Sequence, residues 1–211
     1  MALHAIEHPT QGSTQAGRIG PNAVMQTVQA LRELYGPTAT SQVLAHIGRP
    51  DLSDFSADSL IDEREFVALH HALIDALGLA EASRVLARAG TLTSQYVVHN
   101  RIPRPAQRLL RLLPSRLALR LLLRAISQHA WTFAGSGAFC YTLGRTPQLT
   151  LEDSLTARNL SAEQCTCTFY AAAFQGFFTT LIDPRLRVHE ARCAACGAAR
   201  CEFVVVGEVT Q

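Results

Sequence analysis

Five of the six cysteines fall within residues 165–206. Cys165 and Cys167 flank a threonine, Cys193 and Cys196 have C-x-x-C spacing, and Cys201 follows five residues later. His189 and Glu190 stand just upstream. Thiolate, imidazole and carboxylate at this density are the donor set of a tetrahedral zinc ion. Spacing alone puts Cys193, Cys196 and Cys201 in one site, with a fourth thiolate from Cys165 or Cys167. Four protein ligands leave no open position, so such an ion would be structural. The competing account is a group of small buried cysteines packed without metal. A redox C-x-x-C sits at a helix start after a strand, and this pair is expected in a turn between strands.

The elements that must position these residues read as helices first and strands second. Residues 21–34 and 40–47 carry helical apolar spacing, separated by Gly36-Pro37. Asp62 caps a helix that runs to Leu77 and ends at Gly78. Another starts at Glu81 and runs towards His99, with an interruption expected at Gly90. Pro103, Pro105 and Pro114 mark two further helix starts. In these two helices Leu109, Leu112, Leu113, Leu117, Leu121 and Leu122 are expected to be buried, with Arg104, Arg108, Arg111, Arg116, Arg120 and Arg124 on the other faces. Residues 131–143 alternate at near period two and predict a strand, with residues 148–158 as its partner. Residues 168–182 are apolar nearly all round, which predicts a buried helix. Residues 186–192 and 201–206 predict two strands joined by the cysteine-bearing turn. The fold class is therefore α+β, with N-terminal helices packed on a C-terminal antiparallel sheet and one inserted buried helix. Residues 1–20 read as a flexible tail. Residues 21–207 form one domain, helical over 21–130 and sheet with metal over 131–207.

Charge is distributed unevenly. The chain has 211 residues and a formal charge of +2. All 19 basic residues are arginine. Residues 82–151 contain ten arginines and no Asp or Glu. A high-GC genome accounts for arginine in place of lysine but not for the missing acids. Such a segment suits an anionic partner: a carboxylate, a phosphate or a membrane surface. A solvated cationic helix face is the plainer alternative. No aromatic residue interleaves with the arginines of residues 101–124, so nucleic acid is not expected. Residues 1–20 show no apolar signal region and no apolar run is long enough to span a bilayer. A cytoplasmic location follows as the expectation, and there clustered cysteines favour metal over disulfides.

The pattern C…E-x-x-C-x7-C-x-F, met here by Cys167, Glu190, Cys193, Cys201 and Phe203, resembles the 4-vinyl reductase domain family. The likeness covers residues 62–206, weakly over the helices and well over the last third. It implies zinc on Cys167, Glu190, Cys193 and Cys201, which leaves Cys165 and Cys196 as extras and differs from the spacing-only set. It also implies a fold like that of small vesicle-tethering subunits, a homodimer and an apolar pocket. Members that serve bacteriochlorophyll biosynthesis share the chain's size and arginine-rich middle.

That resemblance implies a ligand: a vinyl-bearing magnesium porphyrin or chlorophyllide. Arg104, Arg108, Arg111, Arg120 and Arg124 would pair with its propionates, since a guanidinium fork matches a carboxylate. His129, Trp131 and Phe133 would meet the ring, while His70, His71 and His99 are further imidazoles in reach of a central metal. The family label implies an 8-vinyl reductase of divinyl protochlorophyllide or chlorophyllide. Yet the sequence holds no strand followed by G-x-G-x-x-G, no P-loop and no ferredoxin-type cysteine run. The reading is therefore a carrier or accessory factor, with other enzymes of the pathway as partners and peripheral contact with the photosynthetic membrane. A small-molecule sensor or tethering module is the third option.

Overall fold

The computed structural model describes residues 17–207. The first sixteen residues of the expected tail lie outside the described part. Residues 17–20 do not behave as tail. Strand β1 (Arg18–Ile19) pairs antiparallel with β2 (Ile61–Asp62), and Ile19 is buried in the core. One isoleucine with a place to bury is enough to fix the segment that carries it.

Helix α1 (Asn22–His46) breaks at Gly36, whose φ of 80° suits only a residue without Cβ, and Pro37 starts its second half. The two helices expected there are thus halves of one kinked element. Helix α2 (Glu63–Leu77) begins where Asp62 accepts the Arg64 backbone N–H at 2.9 Å, and Gly78 at φ 79° turns the chain into α3 (Leu79–Asn100). Gly90 does not interrupt α3. A Cβ there would collide with the backbone carbonyl of Phe169, so the glycine marks the crossing of α3 with the buried helix α7 (Thr168–Leu181).

Helices α4 (Arg104–Leu112) and α5 (Ser115–Gln128) start at the expected prolines. Their buried faces differ from the expectation. Leu110, Ala118, Leu119, Leu122 and Leu123 are buried, whereas Leu109, Leu112, Leu117 and Leu121 lie at the surface. Leucine at nearly every non-arginine position leaves the inward face undetermined by periodicity, and contact with the rest of the fold selects it.

Residues 131–143 do not form one strand. Trp131–Ala134 is a helical turn, α6, in which Thr132 and Ala134 donate to the carbonyls of His129 and Ala130. Gly135 at φ 61° ends it, and the strand β3 (Ala138–Thr142) starts only beyond Gly137. The helical part therefore extends past residue 130. The small residues that imitated strand alternation serve a close approach instead: a Cβ on Gly135 would strike the Glu63 carboxylate.

Strands β3, β4 (Gln148–Glu152), β6 (Cys201–Val206) and β5 (Arg187–Arg192) form an antiparallel sheet in the order β3-β4-β6-β5. Phe139, Leu149, Leu151, Phe203, Val205 and Val188 are buried. Helix α7 packs on α3 and on the sheet, and Phe174 meets Phe133, Phe139, Tyr170 and Phe203 in one aromatic cluster. The architecture is α+β, helices on one antiparallel sheet with an inserted buried helix. Among the described residues no helix is long and apolar enough to cross a membrane.

Candidate functional site

The sheet and α7 bring four donors together. Cys167 immediately precedes α7, Glu190 lies on β5, Cys193 follows β5, and Cys201 opens β6. One donor atom from each lies within 4.8 Å of all the others. The three cysteines are almost fully buried. An irregularity in the β5–β6 register between Glu190 and Arg192 sets the course of the chain just before Cys193. Beyond it a 3-10 turn (Ala194–Cys196) and Gly197, in the left-handed conformation at φ 87°, return the chain to β6.

The surroundings favour negative charge on sulfur. The Thr166 N–H donates to Cys193 Sγ at 3.5 Å and the Ala194 N–H to Cys201 Sγ at 3.3 Å. Ser154 Oγ lies 3.3 Å from Cys167 Sγ, which stands 3.2 Å from Cys201 Sγ. Glu190 Oε2 accepts the Cys167 N–H at 2.9 Å, while its Oε1 is buried with no partner. Four negative-capable groups cannot all ionise without a cation. Hydrogen bonds from Cys167 and Cys201 hold the Cys193 thiol well below its ordinary range. Burial pushes Cys167 far up, and burial together with the Cys193 thiol raises Glu190 to about 8. Three thiols and an orphaned carboxylate oxygen fit a tetrahedral zinc, which binds sulfur at about 2.3 Å. Such an ion would satisfy the one buried polar atom that the centre leaves alone.

The remaining two cysteines form an outer group. Cys165 and the exposed Cys196 lie within 4.8 Å of Cys193 but not in the four-donor set. The spacing-only set of Cys193, Cys196 and Cys201 therefore has no counterpart as a single group. His189 is exposed on β5 and is absent from both groups.

The residues expected to hold a ligand are more scattered. Arg104, Arg108, Arg111, Arg120 and Arg124 are exposed on α4 and α5. Arg111 Nε donates to the Thr180 carbonyl at 3.1 Å, tying α4 to the C-terminal end of α7. Arg120 joins Arg116, Leu119, Leu143, Gly144 and Pro147 around a cavity of about 170 Å³ between α5 and the β3–β4 turn. His129 is exposed, with Nδ1 2.9 Å from the Ala125 carbonyl. Trp131 is exposed, whereas Phe133 is half-buried in the aromatic cluster. His70 is fully buried and neither ring nitrogen has a partner; burial lowers it to about 4. His71 Nε2 lies 2.9 Å from the Arg158 carbonyl, and His99 is exposed. A second cavity, about 370 Å³, lies outside the thiol centre between α3, α7 and β5, lined by Ala87, Thr168, Ala172, Gln175, Val188 and Glu190 among others.

Sequence reasoning missed a buried ion pair. Glu63 is almost fully enclosed, accepts the Ser136 N–H and Oγ–H at 2.7 Å each, and pairs with Arg158 at 2.7 Å. Its hydrogen bonds and its guanidinium partner outweigh burial and hold the carboxyl below its ordinary range. These residues are 73 and 95 positions apart, and no local motif signals such a pairing. Thr166, the residue between Cys165 and Cys167, was also missed as the donor to Cys193.

The family model of the 4-vinyl reductase domain matches residues 147–206, which contain all four donors of the centre. Over 194 residues the chain is 39% identical to the bacteriochlorophyll synthase 23 kDa chain of Cereibacter sphaeroides, covering 92% of this chain and 93% of that one. The chain belongs to that 23 kDa family. The Rhodobacter capsulatus member is 37% identical over 188 residues, covering 89% and 86%. Among solved structures, an H-NOX protein studied for haem distortion superimposes with a TM-score of 0.58 at 13% identity, covering 90% of this chain and 95% of that one. The phenol-responsive sensory domain of the activator PoxR, with phenol, gives 0.52 at 15% identity, covering 69% and 74%. These two likenesses concern the fold of the 23 kDa family.

Proposed function

We propose that this member of the 23 kDa family serves bacteriochlorophyll biosynthesis by holding a vinyl-bearing magnesium tetrapyrrole and presenting it to enzymes of the pathway. The near full-length identity to relatives named bacteriochlorophyll synthase 23 kDa chain is the observation that carries this reading. The H-NOX likeness supports it, since that fold accommodates a haem in those proteins. The cavity beside α5 is too small for a macrocycle, because sites that enclose ligands run to about 300–1,000 Å³. It suits one edge of the ring: Arg116 and Arg120 offer guanidinium groups to a propionate, and Leu119 and Leu143 offer apolar cover.

The carrier reading stands over the reductase reading because the sequence lacks a nucleotide-binding fingerprint. Zinc on Cys167, Glu190, Cys193 and Cys201 would supply a structural clamp rather than chemistry. The residues themselves join the start of α7 to β5 and β6, which is the work such a clamp needs.

Titration of the purified protein with divinyl chlorophyllide tests the proposal. A shifted Soret band, weakened about tenfold or more by Arg116→Gln with Arg120→Gln, is the expected result. An unshifted band throughout would overturn it. Ethyl product from the same mixture with reduced nicotinamide or ferredoxin alone would establish the reductase instead. The larger cavity beside Glu190 and the PoxR likeness favour a second reading, a sensor of small apolar molecules. A thermal shift with phenol-sized ligands but none with the tetrapyrrole would select it.

A further inference from the structure

Helices α4 and α5 turn outward a surface that no other described part of the chain covers. Leu112 is 84% exposed and Leu109 54%, while Leu117 and Leu121 are also at the surface. At 100° per residue, Leu109 and Leu112 lie beside Arg104, Arg108 and Arg111 on the outward half of α4, opposite Leu110. On α5, Leu117 and Leu121 lie to either side of the line through Arg124, opposite Leu119 and Leu123. Each helix thus presents leucines flanked by arginines. The stretch of sequence that contains both helices, residues 82–151, holds no carboxylate. An exposed apolar strip needs an occupant that accepts leucine and arginine together.

From this we infer that the outer face of α4 and α5 is a docking surface for an anionic lipid bilayer, on which both helices lie in the interface plane. Leucines enter the acyl boundary while guanidinium groups reach phosphates from their long apolar stems. Charge complementarity selects this occupant. A second copy of the chain is disfavoured, because a two-fold contact sets the same patch against itself and would oppose arginine to arginine. The surface is distinct from the Arg116–Arg120 side of α5 that lines the small cavity, so docking stands or falls separately from pigment binding.

Flotation of the full chain with vesicles tests the inference. Phosphatidylcholine vesicles are compared with the same lipid holding about one-third phosphatidylglycerol. The chain floats with the anionic vesicles and not the neutral ones, and added salt weakens the association. Arg108→Gln and Arg124→Gln each lower partitioning about fivefold. Leu112→Asp with Leu117→Asp lowers it about tenfold or more, with an unchanged far-ultraviolet spectrum because neither side chain is in the core. Arg116→Gln with Arg120→Gln, which tests pigment binding, lowers flotation by less than the Arg108 and Arg124 changes. Absence of flotation overturns the inference, as does flotation that the leucine changes leave intact. Self-association that those changes abolish, without vesicle binding, assigns the face to a second copy. Binding to an acidic protein with no vesicle binding assigns it to that partner.

Discussion

At the scale of single residues, Cys167 and Cys196 separate two accounts of the cysteines. Cys167 is buried in the four-donor set, and Cys196 is exposed in the outer group. Cys167→Ser is expected to lose bound zinc and to lower the melting temperature, whereas Cys196→Ser keeps both near the parent values. Metal content by mass spectrometry and a thermal melt on the same samples read this out. Equal loss in the two variants would return the fourth thiolate to the C-x-x-C. His70 gives a pH dependence with a defined sign. Burial lowers its pKa from 6.5 to about 4, so the unfolded chain binds more protons between those values. Its contribution to stability is complete above pH 6.5 and is lost as the pH falls towards 4. The window amounts to about 3 kcal/mol at most. His70→Phe is expected to flatten that part of the urea-denaturation profile against pH; a profile identical to the parent's would refute the assignment to His70.

At the scale of elements, what holds the helices to the sheet is partly polar. Arg158 follows β4 and reaches back to Glu63 at the start of α2, closing over Ser136. Arg158→Met removes the counter-charge and leaves a carboxylate with almost no exposure. A loss of about 3 kcal/mol or more in urea denaturation is expected, since breaking one side of a buried pair strands the other charge. This pair was invisible in the sequence because its members are far apart and neither carries a motif. Local chemistry was legible: Asp62 and Gly78 bounded α2, and Pro103 and Pro114 placed the starts of α4 and α5. Periodicity failed where it had no contrast. Leu109 and Leu110 are neighbours of one type, and only tertiary contact made Leu110 the buried one. The same lack of contrast disguised Trp131–Ala134 as strand. Glycines at 135 and 137 read as strand flexibility but serve the close passage of Glu63 and of the β4 end.

At the scale of the whole molecule, the thiol centre and the proposed pigment edge sit at two ends of one strand pair. The cavity of Arg116 and Arg120 adjoins the β3–β4 turn, where Gln148 pairs with Val204. Cys201 lies three residues back along β6, opposite Leu151, which is about 10 Å at the rise of a strand. That separation is too long for a bond between the metal ligands and a tetrapyrrole edge, yet both depend on the same sheet. The sequence offered the centre through one compact motif within residues 167–203. It did not show where the arginines would converge, because Arg116 and Arg120 meet Leu143 only through the fold. Replacing zinc by cobalt discriminates a distant clamp from a metal that touches the pigment. Cobalt in the centre is expected to show thiolate charge-transfer bands, while the Soret maximum of bound divinyl chlorophyllide stays where it was with zinc. Chelation, by contrast, should weaken pigment binding only as far as it lowers the melting temperature, because the centre acts through the sheet it clamps. A Soret band that moves with the identity of the metal would place the pigment against Cys167 and Glu190, and the arginine edge would lose its role.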